Sequence, residues 1–216
     1  MTLEESMEYK EYEKIYTEET RHPPKHRYKL ISELLDIKPK DKFLDVGCGF
    51  GGLVKYLRDN GIDANGVDYS PERVEYAKKE FGNYFKVASA VKLPFDDGNF
   101  DKISLIGVIG YLSEEDLIEC LKEVARVLKP SGKVLITTSQ PMNKLFYKIK
   151  EIMGKSLKST ASAFYPWELE KILSKVFKKT KVWLSIGSST SVAKKCAKML
   201  MFPLISEVYA ICQKND

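Results

Sequence analysis

The chain has 216 residues, 35 Lys and Arg against 30 Asp and Glu, a formal net charge of +5, and is 44 % hydrophobic and 30 % charged. That length suits one α/β domain large enough to bury a sizeable core, and no apolar run reaches the roughly 20 residues of a membrane-spanning helix. Cys48, Cys120, Cys196 and Cys212 stand singly, without a C-x-x-C pair or a nearby histidine, so neither a zinc or other metal site nor a disulfide framework is expected.

Residues 1–20 hold seven acids and two lysines, with Tyr9, Tyr12 and Tyr16 at helical spacing. They lack the apolar core of a signal peptide, so a cytoplasmic protein is expected. Thr20-Arg21-His22-Pro23-Pro24-Lys25-His26-Arg27 leads into a helix ending near Asp36. Phe43-Leu44-Asp45-Val46 reads as a buried strand that runs into Gly47-Cys48-Gly49-Phe50-Gly51-Gly52, with the amphipathic run Leu53–Leu57 behind it. Glycines so placed let the backbone turn sharply and approach a ligand, while the N–H groups opening the next helix face it. Two nucleotide-type loops fit. Gly47, Gly49 and Gly52 match G-x-G-x-x-G, with Asp68 about 20 residues on, where a ribose-binding acid belongs. Gly47, Gly49 and Gly51, preceded by Asp45, match Asp-x-Gly-x-Gly-x-Gly equally well. A carboxylate just before the loop would repel a pyrophosphate.

A second strand, Ile62–Val67, delivers Asp68 to a helix start, with Ser70 suited to the N-cap and Pro71 to the first helical position. A carboxylate there can accept two hydrogen bonds from vicinal ribose hydroxyls, each worth roughly 1.5–3 kcal/mol. Ala88-Ser89-Ala90-Val91-Lys92-Leu93-Pro94-Phe95-Asp96-Asp97-Gly98-Asn99-Phe100-Asp101 follows the third strand, and Ile103–Leu112 reads as the fourth strand and its loop. Ser113 caps a helix expected to run through Leu128, with Glu114, Glu115 and Asp116 in its first turn. Arg126-Val127-Leu128-Lys129-Pro130-Ser131-Gly132 ends that helix and leads to a fifth strand, Val134–Thr138. Lys179–Ile186 and Ser206–Cys212 are the candidates for strands six and seven. Two further segments, Pro141–Tyr165 and Val192–Ile205, carry apolar residues and methionines that suit a pocket for an apolar substrate or a membrane surface. Residues 142–216 hold fourteen lysines, five acids and no arginine, which weakens a nucleic-acid reading because arginine is the usual bidentate phosphate and base reader. The plentiful Lys and Glu, with little Gln, are of thermophile type.

The glycine loop with Asp45, Asp68, the Leu93-Pro94-Phe95 segment and Arg126–Gly132 together resemble class I S-adenosylmethionine-dependent methyltransferases, densely over residues 42–138. The resemblance implies a doubly wound α/β fold: a mainly parallel seven-stranded sheet with an antiparallel last strand, helices on both faces and an extra N-terminal helix. It implies one domain over 1–216, with 1–40 as a helical cap, 41–138 as the cofactor-binding core, and 139–216 as substrate-side segments with the last two strands. The implied cofactor is S-adenosylmethionine, whose ammonium and sulfonium give Asp45 a purpose. Its contacts would be Asp45, Gly47, Cys48, Gly49, Gly51, Asp68, Tyr69, Ser89, Ala90, Ile106 and Arg21. Ser89 stands where the family carries an acid that meets the adenine amine, and Ala90 where a backbone N–H meets the ring. The family histidine after strand four has no counterpart near Gly110 and Tyr111, so the candidate bases are His22, His26 and Tyr111. The expected reaction is in-line methyl transfer to a small, hydrophobic or acidic acceptor. Three alternatives stay open: a nucleic-acid methyltransferase, a nicotinamide-dependent oxidoreductase, and a non-catalytic S-adenosylmethionine-binding protein.

Overall fold

Alternation of buried residues between two faces organises the chain. The computed structural model describes residues 25–139, 164–186 and 206–214. Arg21, His22, Cys196, Val192–Ile205 and nearly all of Pro141–Tyr165 lie outside the described residues. The elements are α1 (Lys25–Leu35), β1 (Lys42–Val46), α2 (Gly52–Asp59), β2 (Asp63–Asp68), α3 (Pro71–Phe81), β3 (Phe85–Val87), β4 (Phe100–Ile106), α4 (Glu114–Val127), β5 (Leu128–Ser139), α5 (Pro166–Leu173), β6 (Lys179–Ile186) and β7 (Ser206–Gln213). A short 3₁₀ turn, Ile109–Tyr111, follows β4.

The strands form one seven-stranded sheet in the order β3-β2-β1-β4-β5-β7-β6. β1 to β5 pair in parallel, and β7 runs antiparallel between β5 and β6. Both faces are covered, which is why the central strands read as continuous apolar runs. Phe43, Ala64 and Leu135 face one core with Ile31 and Leu35 of α1, Leu53, Val54 and Leu57 of α2, and Val74 and Ala77 of α3. Leu44, Val46, Val67, Ile103, Leu105 and Ile136 face the other, against Leu117, Leu121 and Val124 of α4 and Leu169 and Leu173 of α5.

The local signals behave as their chemistry requires. The Ser70 hydroxyl accepts the Arg73 N–H (3.3 Å), and the Ser113 hydroxyl accepts that of Asp116 (3.1 Å). Several boundaries move. α4 stops at Val127, and β5 begins at Leu128, paired with Phe100, not at Val134. Pro130 bars a helical continuation, and Leu128 gains full burial by becoming extended. β7 also runs one residue past the expected Cys212.

The connection between β3 and β4 contains no helix, and α4 holds it in place. Glu123 Oε2 accepts the Leu93 N–H (2.8 Å), and Arg126 donates to the Leu93 carbonyl (3.1 Å), the Phe95 carbonyl (2.9 Å) and Asp97 (2.7 Å). Leu93 is thereby buried, and Phe95 meets Phe100 edge-on at 4.9 Å. Arg126→Ala strips both carbonyls of their donor and should cost about 1–3 kcal/mol. The expected result in urea denaturation is a lower midpoint at unchanged slope. Arg126→Lys should recover little of the loss, because an ammonium cannot span two carbonyls as the fork does.

Candidate active site

Strand order reverses between β1 and β4: the chain leaves β1 toward β2 on one side and β4 toward β5 on the other. Such a switch point leaves a crevice at the carboxyl ends of the strands, and the glycine loop lies there. Gly47, Gly49 and Gly51 have φ of 77°, 53° and 81°, a left-handed conformation that side chains disfavour. At Gly47 a β-carbon would also sit 2.3 Å from Val108 Cγ2, so the loops leaving β1 and β4 touch only because it is absent. In front of Gly49 nothing lies within 4 Å of where a β-carbon would stand.

Two buried carboxylates flank this loop. Asp45, 4 % exposed, accepts a hydrogen bond from the Ser104 hydroxyl at 2.6 Å across the β1–β4 pairing. Burial pushes the Asp45 carboxyl up to about 7; the Ser104 bond opposes the rise and the nearby Asp68 carboxylate adds to it. Asp68, 2 % exposed, accepts the Gly49 N–H (2.7 Å) on one oxygen and the Ser70 N–H (2.9 Å) on the other. It therefore ties the glycine loop to the start of α3, and each oxygen keeps a lone pair for a further donor. The charged group that acts on Asp45 is thus another carboxylate. This set of acceptors opposes a pyrophosphate and fits a ligand with positive charge at one end and ribose hydroxyls at the other. The open cradle before Gly49 fits the same adenosyl ligand.

The other expected residues divide. Cys48 lies in the loop but is buried against β2, where a β-carbon on Gly66 would stand 2.8 Å from its sulfur. Burial, then the Asp68 and Asp45 carboxylates, hold its thiol well above the ordinary range, so it packs and does not act as a nucleophile. Tyr69 is 39 % exposed directly beyond Asp68. Ser89 and Ala90 are half-buried beside it, tethered by the Ala88 N–H to the Asp68 carbonyl at 3.0 Å. The Ser89 hydroxyl accepts the Val91 N–H at 3.4 Å. Ile106 ends β4, and Tyr111, 38 % exposed, lies on the 3₁₀ turn after it. His26 is exposed on the first turn of α1.

Three participants escaped the sequence reading. Ser104 sits inside an apolar strand, where one hydroxyl carries no pattern signal. Val108 is identified only by its contact with Gly47. Tyr28 shares the i, i+3, i+7 face of α1 with Ile31 and Leu35 and so reads as core, yet its hydroxyl reaches Gly52.

A family model described as a methyltransferase domain matches residues 44–136. The chain is 42 % identical over 105 residues to the mouse protein named Probable tRNA methyltransferase 9B, covering 48 % of this chain and 23 % of that one. It is 33 % identical over 156 residues to demethylmenaquinone methyltransferase of Staphylococcus aureus, covering 64 % and 63 %. The chain thus spans less than two thirds of either relative. A crystal structure of an S-adenosylmethionine-dependent methyltransferase from Archaeoglobus fulgidus superposes with a TM-score of 0.69 at 19 % identity, over 94 % of this chain and all of that one, which shows a shared fold.

Asp45 yields a stability prediction with a definite sign. Its folded pKa lies above its value of 3.8 in the unfolded chain, so the native state holds the proton more tightly. The stability this contributes is present at low pH and is lost as pH rises from about 4 to about 7. Asp45→Asn keeps the acceptor for Ser104 and removes the charge. In urea denaturation its advantage over the natural chain should grow by roughly 1–3 kcal/mol between pH 5 and pH 8.

Proposed function

We propose that this chain is a class I S-adenosylmethionine-dependent methyltransferase, with S-adenosylmethionine as its cofactor, and that it transfers a methyl group in line to a small acceptor with a hydrophobic or acidic body. One observation carries the reading: two buried carboxylates, Asp45 and Asp68, stand beside a three-glycine loop at the switch point of the sheet. The cofactor supplies a methyl group already activated on a sulfonium. The chain's own work is to hold and orient. Asp68 accepts the ribose hydroxyls with its remaining lone pairs while it fastens the loop. Asp45 takes the ammonium, which offsets the cost of its burial. Ser89 and Ala90 meet the adenine, on a segment held against α4 by Glu123 and Arg126. Tyr69 and Ile106 line the adenosyl group. Alignment of this kind supplies up to roughly 7–11 kcal/mol in ideal cases, so an acceptor that arrives as a competent nucleophile needs no strong base.

We read Tyr111, exposed on the turn after β4, as a residue that faces the acceptor and orients its reacting atom. An apolar acceptor is supported by the aromatic stack of Tyr165 on Trp167, rings 4.4 Å apart and nearly parallel, with Trp167 64 % exposed. The pair borders Pro141–Tyr165, the segment whose composition suits substrate binding. The lysine-only basic third supports a small molecule over a nucleic acid.

Calorimetric titration tests the cofactor half of this reading. S-adenosylhomocysteine and S-adenosylmethionine should bind and NADH should not, and Asp68→Ala should weaken both by about tenfold or more. Asp45→Asn should weaken the same ligands although it stabilises the fold, a trade-off typical of a carboxylate kept for a ligand. NADH binding without adenosyl-ligand binding would return the loop to the oxidoreductases. Transfer from labelled cofactor to a panel of hydrophobic and acidic metabolites, with tRNA alongside, decides the acceptor; label in tRNA alone would reject the small-molecule reading.

A further inference from the structure

A parallel sheet covered on both faces is ordinarily apolar on both, yet one corner of this sheet is polar. Lys42 stands two residues before Leu44 on β1, Asn65 of β2 pairs with Leu44, and Lys86 of β3 pairs with Val67. All three side chains therefore share the face that carries Leu44 and Val67. α4 and α5 cover the neighbouring part of that face. Above the three polar residues the cover is the helix-free β3–β4 connection, and a cavity of about 580 Å³ lies between the two. Phe95, Asn99 and Phe100 complete its walls from the connection and the start of β4.

The chemistry of these walls suits an anion. The Lys86 ammonium lies 4.7 Å from the centre of the Phe95 ring, and that of Lys42 lies 5.5 Å from the Phe100 ring. The two rings meet edge-on, which sets the two cations on adjoining walls. Among the described residues neither ammonium pairs with a carboxylate. Lys42 donates to the Asn99 amide oxygen and keeps two protons for a further acceptor. Asp101 accepts the Lys42 backbone N–H at 2.9 Å, but its ion pair is with Lys129, at 2.8 Å. The Asn65 amide, half-buried between β1 and β3, makes no hydrogen bond among the described residues, although an apolar side chain would pack there. Asp96 is the carboxylate among the lining residues, and it is exposed, so two cations face one acid. Two ammonium groups on separate strands match the double charge of a phosphate monoester, which a single carboxylate does not carry. The volume is that of a metabolite site. None of the lining residues is among the expected cofactor contacts. Lys42 begins β1, about 13 Å along the strand from the end where the glycine loop starts.

We infer that this cavity is a second small-molecule site, which binds the phosphate group of a small phosphorylated metabolite between Lys42 and Lys86, with the Asn65 amide donating to the same ligand. The site does not depend on the cofactor reading, and the test keeps the two apart. Calorimetry on the full chain, with S-adenosylhomocysteine in excess, compares ribose 5-phosphate, glycerol 3-phosphate, inorganic phosphate and ribose. At least one of the two esters should bind with a Kd below about 1 mM and about tenfold or more tighter than inorganic phosphate, while ribose should not bind. Lys86→Gln, at an exposed position, and Lys42→Gln should each weaken the ester about tenfold, with unaltered circular dichroism. Asn65→Leu should also weaken it, yet raise the midpoint of urea denaturation, because it restores an apolar face. Failure of both esters to bind overturns the proposal, as does ester binding unchanged in both lysine variants. Ester binding seen only when S-adenosylhomocysteine is left out would assign it to the cofactor crevice and overturn the proposal too. Equal affinity for inorganic phosphate would reduce the cavity to an adventitious ion only, with the same consequence.

Discussion

The contact between Gly47 and Val108 is the constraint on which the site depends. Parallel strands β1 and β4 lie side by side, but their chains depart to opposite sides, so the loops at their ends would ordinarily diverge around a gap. With no β-carbon at Gly47, the two loops close to van der Waals contact beyond the carboxyl ends of β1 and β4. Everything placed around it follows from strand ends. Asp45 and Ser104 are neighbours by β1–β4 register, and Asp68 comes from β2 to hold Gly49.

That arrangement concentrates negative charge where the sheet is most buried. The Asp45 carboxyl, lifted to about 7 by burial, is a cost that the folded chain carries as pH rises. The positive end of α2 lies on the far side of the same loop, so the two poles of the cradle have opposite sign. Two clamps keep the geometry: Glu123 and Arg126 on the β3–β4 connection, and Arg27 with Glu207 on α1. Both work through side chains of helices that do not themselves carry the loop.

The sheet was legible from pattern. Continuous apolar strands, Ser70 and Ser113 at helix starts, and glycine runs at strand ends are local signals, and each acts within a few residues of where it is written. Resemblance added the antiparallel seventh strand, which no periodicity announces, because β7 enters between β5 and β6 only after a long excursion. The boundary between α4 and β5 was misplaced because the gain from burying Leu128 in the β4 pairing is invisible to a helical count.

Within the site, the sequence by itself determined the glycine loop, Asp45 and Asp68, since a backbone that must adopt positive φ and an acid that must follow a strand leave residue-type signatures at fixed spacing. Only the tertiary structure decided that Ser104 bonds Asp45, that Asp68 holds the loop, that Cys48 is packing, and that Tyr28 reaches across to Gly52. Asp45 with Ser104 and Asp68 with Gly49 are separated by roughly 20 to 60 residues and meet only because parallel crossovers bring strand ends together.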